Sequence, residues 1–230
     1  MCVLVTSKAG TMPSLSQIAL MSEANPDGAG IAWHDGTRLH RYRNTDNQQT
    51  ILYMLTHWQE LEKHPFLLHF RYATHGKVST ENTHPFQYHL TDGSTGYIAH
   101  NGIAHDHTNG PYANDSRNAI LAWQTGQTSL TDGSQGQYAL IDSNGEIRWI
   151  TRTGIPVHGQ TGTINVSNLN WVSRPTIYQM DEWDTYRFNR EDDEWEEGYQ
   201  AGYQQALDEY GILEIEEPDS LDYTPHPTYH

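Results

Sequence analysis

The 230-residue chain has a single cysteine, Cys2, so it can form no internal disulfide, and its cysteine usage gives no sign of an oxidising compartment. No apolar run approaches the roughly 18 residues that a membrane-crossing helix needs. The opening MCVLVTSKAG lacks the basic start and long apolar core of a signal peptide. A cytoplasmic protein without a membrane span is therefore expected. Basic residues are also scarce, 13 Lys and Arg against 29 Asp and Glu, giving a formal net charge of -16. Such a chain offers no basic stripe for a phosphate backbone, which argues against direct nucleic-acid binding. There is no GxxxxGK[ST] and no GxGxxG, hence no expected site for ATP or a dinucleotide. HExxH and Cys–His zinc spacings are missing too, and His105 and His107 in AHDH read as surface histidines. Neither a metal nor a cofactor is expected.

Seven Trp and fourteen Tyr supply large apolar faces, enough for one substantial core. The charge divides the chain. Residues 181–230 hold 16 acidic and 2 basic side chains, so two units are expected: a domain over 1–180 and an acidic, aromatic-rich extension over 181–230. Trp195, Tyr199, Tyr203 and Leu207 fall at four-residue steps and predict a helix over 192–210.

Within the domain, apolar runs predict strands over 3–6, 31–34, 39–43, 66–72, 96–100, 138–142, 147–151 and 164–166. The Asp35-Gly36 pair marks a hairpin between the second and third. Helices are expected from a Ser14 cap to about residue 22, over 47–62 by 3.6-residue spacing with a stop at Pro65, and over 116–124. Strands outnumber helices, which points to α+β with antiparallel sheets.

Four places carry possible chemistry. Loss of Met1 would leave Cys2 with its thiol and a free α-amine on one residue, and that amine can serve as the base; the alternative is a small buried hydrophobe. In HFRYATHGKVSTENTHPFQ a strand delivers Arg71, which can clamp a carboxylate or form a structural ion pair. The end of AHNG can aim the Asn101 amide and the Gly102 N–H at one point as an oxyanion hole, or simply close a hairpin. Asp115 can accept from a substrate ammonium or cap a helix. Asn165-Val166-Ser167 fits a glycosylation triplet with no meaning in a cytoplasmic chain.

Cys2 after the initiator Met, NPDGAGIAW at 25–33, HFRYATHG at 69–76, ENTHPF at 81–86, AHNG at 99–102 and NDS at 114–116 together resemble the class II glutamine amidotransferases, members of the N-terminal nucleophile hydrolases. The likeness covers roughly residues 2–170 and is nearest to small stand-alone amidotransferase-like proteins. It departs at Ala24-Asn25-Pro26, where relatives often carry Arg-Gly before the loop that closes over glutamine.

The resemblance implies a four-layer αββα sandwich of two antiparallel sheets between helices. It implies that Cys2 attacks the glutamine amide to form a γ-glutamyl thioester, with Asn101 and Gly102 stabilising the oxyanion. Arg71 would hold the α-carboxylate, Asp115 the α-ammonium, and Tyr72, Thr74 and His75 the rest of the pocket. With no acceptor site in evidence, the released ammonia would pass to a separate synthetase or transferase, for which the acidic extension is a possible dock. Two rival readings stand beside this one: an N-terminal cysteine hydrolase of another γ-glutamyl or amide compound, and a non-catalytic binding protein on the same fold.

Overall fold

Val3, Leu4 and Val5 are apolar and largely β-branched, and they open the chain as a fully buried strand, β1 (Val3–Ser7). In the computed structural model, residues 2–74, 76–151 and 153–172 are described; the expected extension over 181–230, its helix over 192–210 and the loop residue His75 lie outside them. After β1 the order is α1 (Leu15–Ala24), β2 (Ala29–His34), β3 (Leu39–Asn44), α2 (Asn47–Thr56), α3 (Trp58–Lys63), β4 (Phe66–Phe70), β5 (Phe86–His89) and β6 (Thr95–Asn101). Then come α4 (Asp115–Gln124), β7 (Gln137–Asp142), β8 (Ile147–Trp149), β9 (Ile155–His158) and β10 (Thr163–Val166). Among the described residues no helix is long and apolar enough to cross a membrane.

The strands form two antiparallel sheets, ordered β3-β2-β4-β1-β10-β9 and β5-β6-β7-β8. Strand periodicity sorts their side chains into three cores. Val3 and Val5 of β1, Ile31 and Trp33 of β2, and Phe66, Leu68 and Phe70 of β4 pack with Ile18 and Met21 of α1 and Met54 of α2. The intervening Leu4, Ala32 and Leu67 face the other way, onto Ala99, Ala139 and Ile141 of the second sheet. On that sheet's far side Ile98, Tyr138 and Leu140 pack with Ala119 and Ile120 of α4. Helices, sheet, sheet, helix: the αββα sandwich and the α+β class are both observed.

Local chemistry fixes the element ends. Ser14 and Gln17 form a reciprocal capping box, Ser14 Oγ accepting the Gln17 N–H at 3.2 Å and Gln17 Oε1 the Ser14 N–H at 2.8 Å. The predicted helix over 47–62 breaks into two at His57, whose backbone leaves helical geometry while its ring Nδ1 lies 2.8 Å from the Tyr53 carbonyl. The Asp35-Gly36 turn is a four-residue loop, because the Asp35 carboxylate accepts the N–H groups of both Thr37 and Arg38. Strand β4 ends at Phe70, two residues short of the expected 72, which leaves Arg71 in the loop. Two edge strands went unpredicted. β5 has only four residues, and β9 carries Pro156, which is tolerated because β9 has no neighbour on its outer side.

Candidate active site

The register of β1 against β4 pairs Val3 with Phe70, so the next step outward sets Cys2 against the start of the Arg71–Tyr72 loop. Tyr72 clasps the sulfur with its backbone: its N–H donates to Cys2 Sγ at 3.3 Å, and the thiol donates to its carbonyl at 3.4 Å. The Tyr72 ring itself is exposed. Burial pushes the Cys2 thiol above its ordinary value, and the hydrogen bonding to the Tyr72 backbone pulls it partly back. By strand alternation Cys2 shares the face of Leu4, which looks into the space between the sheets.

Arg71 is almost fully buried, at 3% exposure. Its guanidinium donates to the Lys77 carbonyl at 3.2 Å and the Gly76 carbonyl at 3.4 Å, so the loop that follows wraps around it. Burial lowers its pKa, while the nearby Cys2, Asp27 and Asp115 act in the opposite sense. Asp27, to which sequence reasoning gave no role, ties the NPDG loop to the strand end: its N–H donates to the Arg71 carbonyl at 2.9 Å and its carboxylate accepts the Ala73 N–H at 2.8 Å. Thr74 stands exposed on the same loop.

Asn101 ends β6 two residues after Ala99 and therefore projects between the sheets, as Cys2 does. Its Nδ2 lies 3.0 Å from Ser167 Oγ. The same hydroxyl oxygen accepts the Leu4 N–H at 3.0 Å and lies 3.3 Å from Asn168 Nδ2, and Asn168 Nδ2 also donates to the Cys2 carbonyl at 2.8 Å. Ser167 and Asn168 thus bridge Asn101 to the nucleophile's own backbone. The Asn165-Val166-Ser167 triplet was the only sequence signal at Ser167, and it pointed elsewhere.

Gly102 has a φ of +144°, and a Cβ there would come within 2.9 Å of Gly136 Cα and 3.1 Å of His100 Nε2, so only glycine fits. The Asn-Gly hairpin, the alternative reading of this pair, does not form; the chain runs on into a loop. Asp115 is not the helix cap that its default reading made it. Asn114 caps α4 by accepting the Arg117 N–H at 2.9 Å, and the buried Asp115 carboxylate instead accepts the Ala104 N–H at 2.8 Å.

Behind the site, His69, His84 and His100 are buried together. The rings of His69 and His84 lie 4.3 Å apart, those of His84 and His100 6.4 Å apart, and His100 Nδ1 lies 2.7 Å from Ser116 Oγ. Burial holds His69 down to about 3, His100 to about 4, and His84 well below the ordinary range. Among the described residues no group of His, Cys, Asp and Glu is arranged to hold a metal ion. A cleft of about 240 Å³ lies away from Cys2, between β3, β5 and α4.

A family model described as glutamine amidotransferases class-II matches residues 2–118. No curated protein matches the chain. Among solved structures, the chain is similar to a glutamine phosphoribosylpyrophosphate amidotransferase from B. subtilis complexed with ADP and GMP, at 17% identity and a TM-score of 0.46, over 73% of this chain and 42% of that one. It is also similar to a structure described as the allosteric regulatory enzyme of purine biosynthesis, at 18% identity and a TM-score of 0.47, over the same two shares. The chain spans about two fifths of the length of these structures.

Proposed function

Because the chain belongs to the class II glutamine amidotransferases, we propose that Cys2, freed of Met1, hydrolyses the side-chain amide of glutamine. The observation that carries this reading is the placement of Cys2 Sγ on the Tyr72 backbone beside the buried Arg71. A thiol and a charged guanidinium at one sheet end suit a substrate with an amide at one end and a carboxylate at the other.

In this mechanism the α-amine of processed Cys2 is the base. Its reference pKa of about 7.7 lies below that of a thiol, about 8.5, and burial raises the Cys2 thiol further, so the transfer runs uphill and is drawn forward as the thiolate is consumed by attack on the amide. The thiolate adds to the glutamine δ-carbonyl, and negative charge gathers on the oxygen. Asn101 and the Gly102 N–H receive that charge. Three donors now crowd Ser167 Oγ, which has two lone pairs, while Asn101 Oδ1 is buried without a partner among the described residues. Turning the amide over relieves both: Oδ1 accepts the Ser167 hydroxyl proton, and Nδ2 points at the place Oδ1 now occupies. Collapse of the intermediate breaks the C–N bond, the amine-held proton leaves with ammonia, and a γ-glutamyl thioester remains. Water then adds to the thioester carbonyl, releasing glutamate and restoring the thiol.

Arg71 takes the α-carboxylate and Asp115 the α-ammonium, with Tyr72, Thr74 and His75 around them. The ammonia passes to an acceptor handled by a separate protein. Intact mass with and without 6-diazo-5-oxo-L-norleucine, followed by peptide mapping, tests the reading. Loss of Met1 with an adduct on Cys2 is expected; a processed, folded chain that stays unlabelled would overturn it.

A further inference from the structure

Arg41 and Arg43 are two residues apart on β3, so they share one face of an edge strand, and Arg117 stands opposite in the first turn of α4. The three line the cleft of about 240 Å³, with Glu81, Phe86 and Tyr112 among its walls. Helix stability does not explain Arg117, because a cation near a helix N-terminus opposes the macrodipole. Nor do ion pairs explain the group. The ion pairs of Asp35 go to Arg38 and His40, and Arg41, Arg43 and Arg117 take no part in them. Arg43 Nη1 donates to the Thr83 carbonyl at 2.8 Å. The guanidinium carbons sit over aromatic rings: Arg117 at 3.8 Å from Tyr112, Arg41 at 4.9 Å from Tyr97 and Arg43 at 5.9 Å from Phe86. Rings that hold the flat faces leave N–H edges to meet a ligand's carboxylates. Burial, then repulsion from Arg41 and Arg117, brings Arg43 down to about 10, which still leaves it charged at neutral pH.

Three cations share this cleft with a single carboxylate, Glu81, which acts on Arg43 from a distance but makes no ion pair with any of them, so in a chain of net charge -16 the positive excess calls for an anionic occupant. Aromatic walls and a cleft of this size favour acidic side chains alternating with rings over a small inorganic ion. The chain contains such a sequence. Residues 181–199, DEWDTYRFNREDDEWEEGY, carry nine acidic and five aromatic side chains. Extended chain spans roughly 3.3 Å per residue, so the eighteen steps from residue 172 to residue 190, in the middle of the segment, reach about 60 Å, comparable with the path halfway around a domain whose radius of gyration is about 15 Å. Chain length therefore allows the segment to reach the cleft. We propose that the Arg41, Arg43 and Arg117 cleft binds the chain's own acidic and aromatic segment 181–199, independently of the amide chemistry.

Trypsin offers a direct test, since Arg187 and Arg190 are the two basic residues of 181–230. Cleavage of a docked segment follows its undocked population. At low ionic strength the full chain should be cut at these two sites about tenfold more slowly than a synthetic peptide of residues 181–199. The ratio should approach one at about 0.5 M salt, where exposed charges are screened, and in the Arg41→Gln/Arg117→Gln chain. The salt series needs no variant, so it stands even if the double substitution disturbs folding. Equal rates for chain and peptide at low salt would overturn the proposal, as would protection that survives in a folded double variant. Protection that grows with chain concentration would place the segment on a second copy and overturn docking within one chain.

Discussion

At the scale of single residues, the site combines positions that strand register dictates with positions that it does not. Cys2 and Arg71 meet because β1 pairs with β4, and both were legible in the sequence as a second-position cysteine and a strand-end arginine. Ser167 was not legible, because its importance lies in what converges on its oxygen from β1, β6 and Asn168, and no local pattern encodes a meeting of residues 163 positions apart. These two classes of residue predict different kinetic signatures. Removing an oxyanion donor costs on the order of 100- to 1000-fold in kcat. Under the proposed mechanism, Asn101→Ala should therefore lower kcat by that factor with little change in KM for glutamine. Ser167→Ala, which leaves the amide present but unaimed, should lower kcat about tenfold on the same assay; a Ser167→Ala enzyme with unchanged kcat would remove the serine from the positioning scheme. Arg71→Lys should act on the other parameter. It replaces a planar fork with a point charge, at a cost of roughly 1.5–3 kcal/mol in carboxylate binding, so KM should rise at least tenfold while kcat changes less.

At the scale of elements, α4 shows why a helix start can be read correctly while the choice of its cap residue stays open. The apolar spacing placed the helix over 116–124, within one residue of α4 itself. Both Asn114 and Asp115 are good caps by residue type, and only the direction in which the chain enters decides between them. Asn114 adopts the extended cap geometry and satisfies the Arg117 N–H, which leaves the Asp115 carboxylate to turn towards the Ala104 N–H and the Arg71 side of the fold. Asn114→Ala should cost about 1 kcal/mol in urea denaturation, the usual value of a cap. Asp115→Asn keeps the shape of the side chain and the helix. It should leave the denaturation midpoint nearly unchanged and raise KM for glutamine instead, a separation that an ordinary capping role would reverse. The elements missed in the sequence, β5 and β9, are both four-residue edge strands, too short to show periodicity and specified mainly by the neighbours they pair with.

At the scale of the whole molecule, the nearly unbroken apolar runs of β1, β2 and β4 already imply a sheet covered on both faces, and the structure supplies the second sheet and the helices that do the covering. The composition does not foretell the price of that arrangement at the inner layer. His69, His84 and His100 are fully buried between or behind the sheets, and His84 has neither ring nitrogen paired among the described residues. All three are neutral in the fold, since burial depresses their pKa values, to about 3 for His69 and about 4 for His100. In the unfolded chain they titrate near the ordinary value of about 6.5. The unfolded state therefore binds more protons once the pH drops below about 6.5, and stability falls with it until the folded-state values are reached. For His69 and His100, neutral down to about 3 and about 4, the loss between pH 6.5 and 5 is on the order of 3 kcal/mol together, and His84 acts in the same direction. That is a sizeable share of the stability of a typical domain, about 5–15 kcal/mol. Urea denaturation of the full chain at pH 7.5, 6 and 5 should show a midpoint that drops most over the last interval. The carboxylates held low by hydrogen bonds, Asp35, Asp92 and Asp132, cannot imitate this result, because their stabilising effect is lost only below their own ordinary range of about 3.9. A midpoint that stays level from pH 7.5 to 5 would mean that the histidine layer is hydrated or protonated in the folded protein, and that the two sheets meet less tightly there than their side chains indicate.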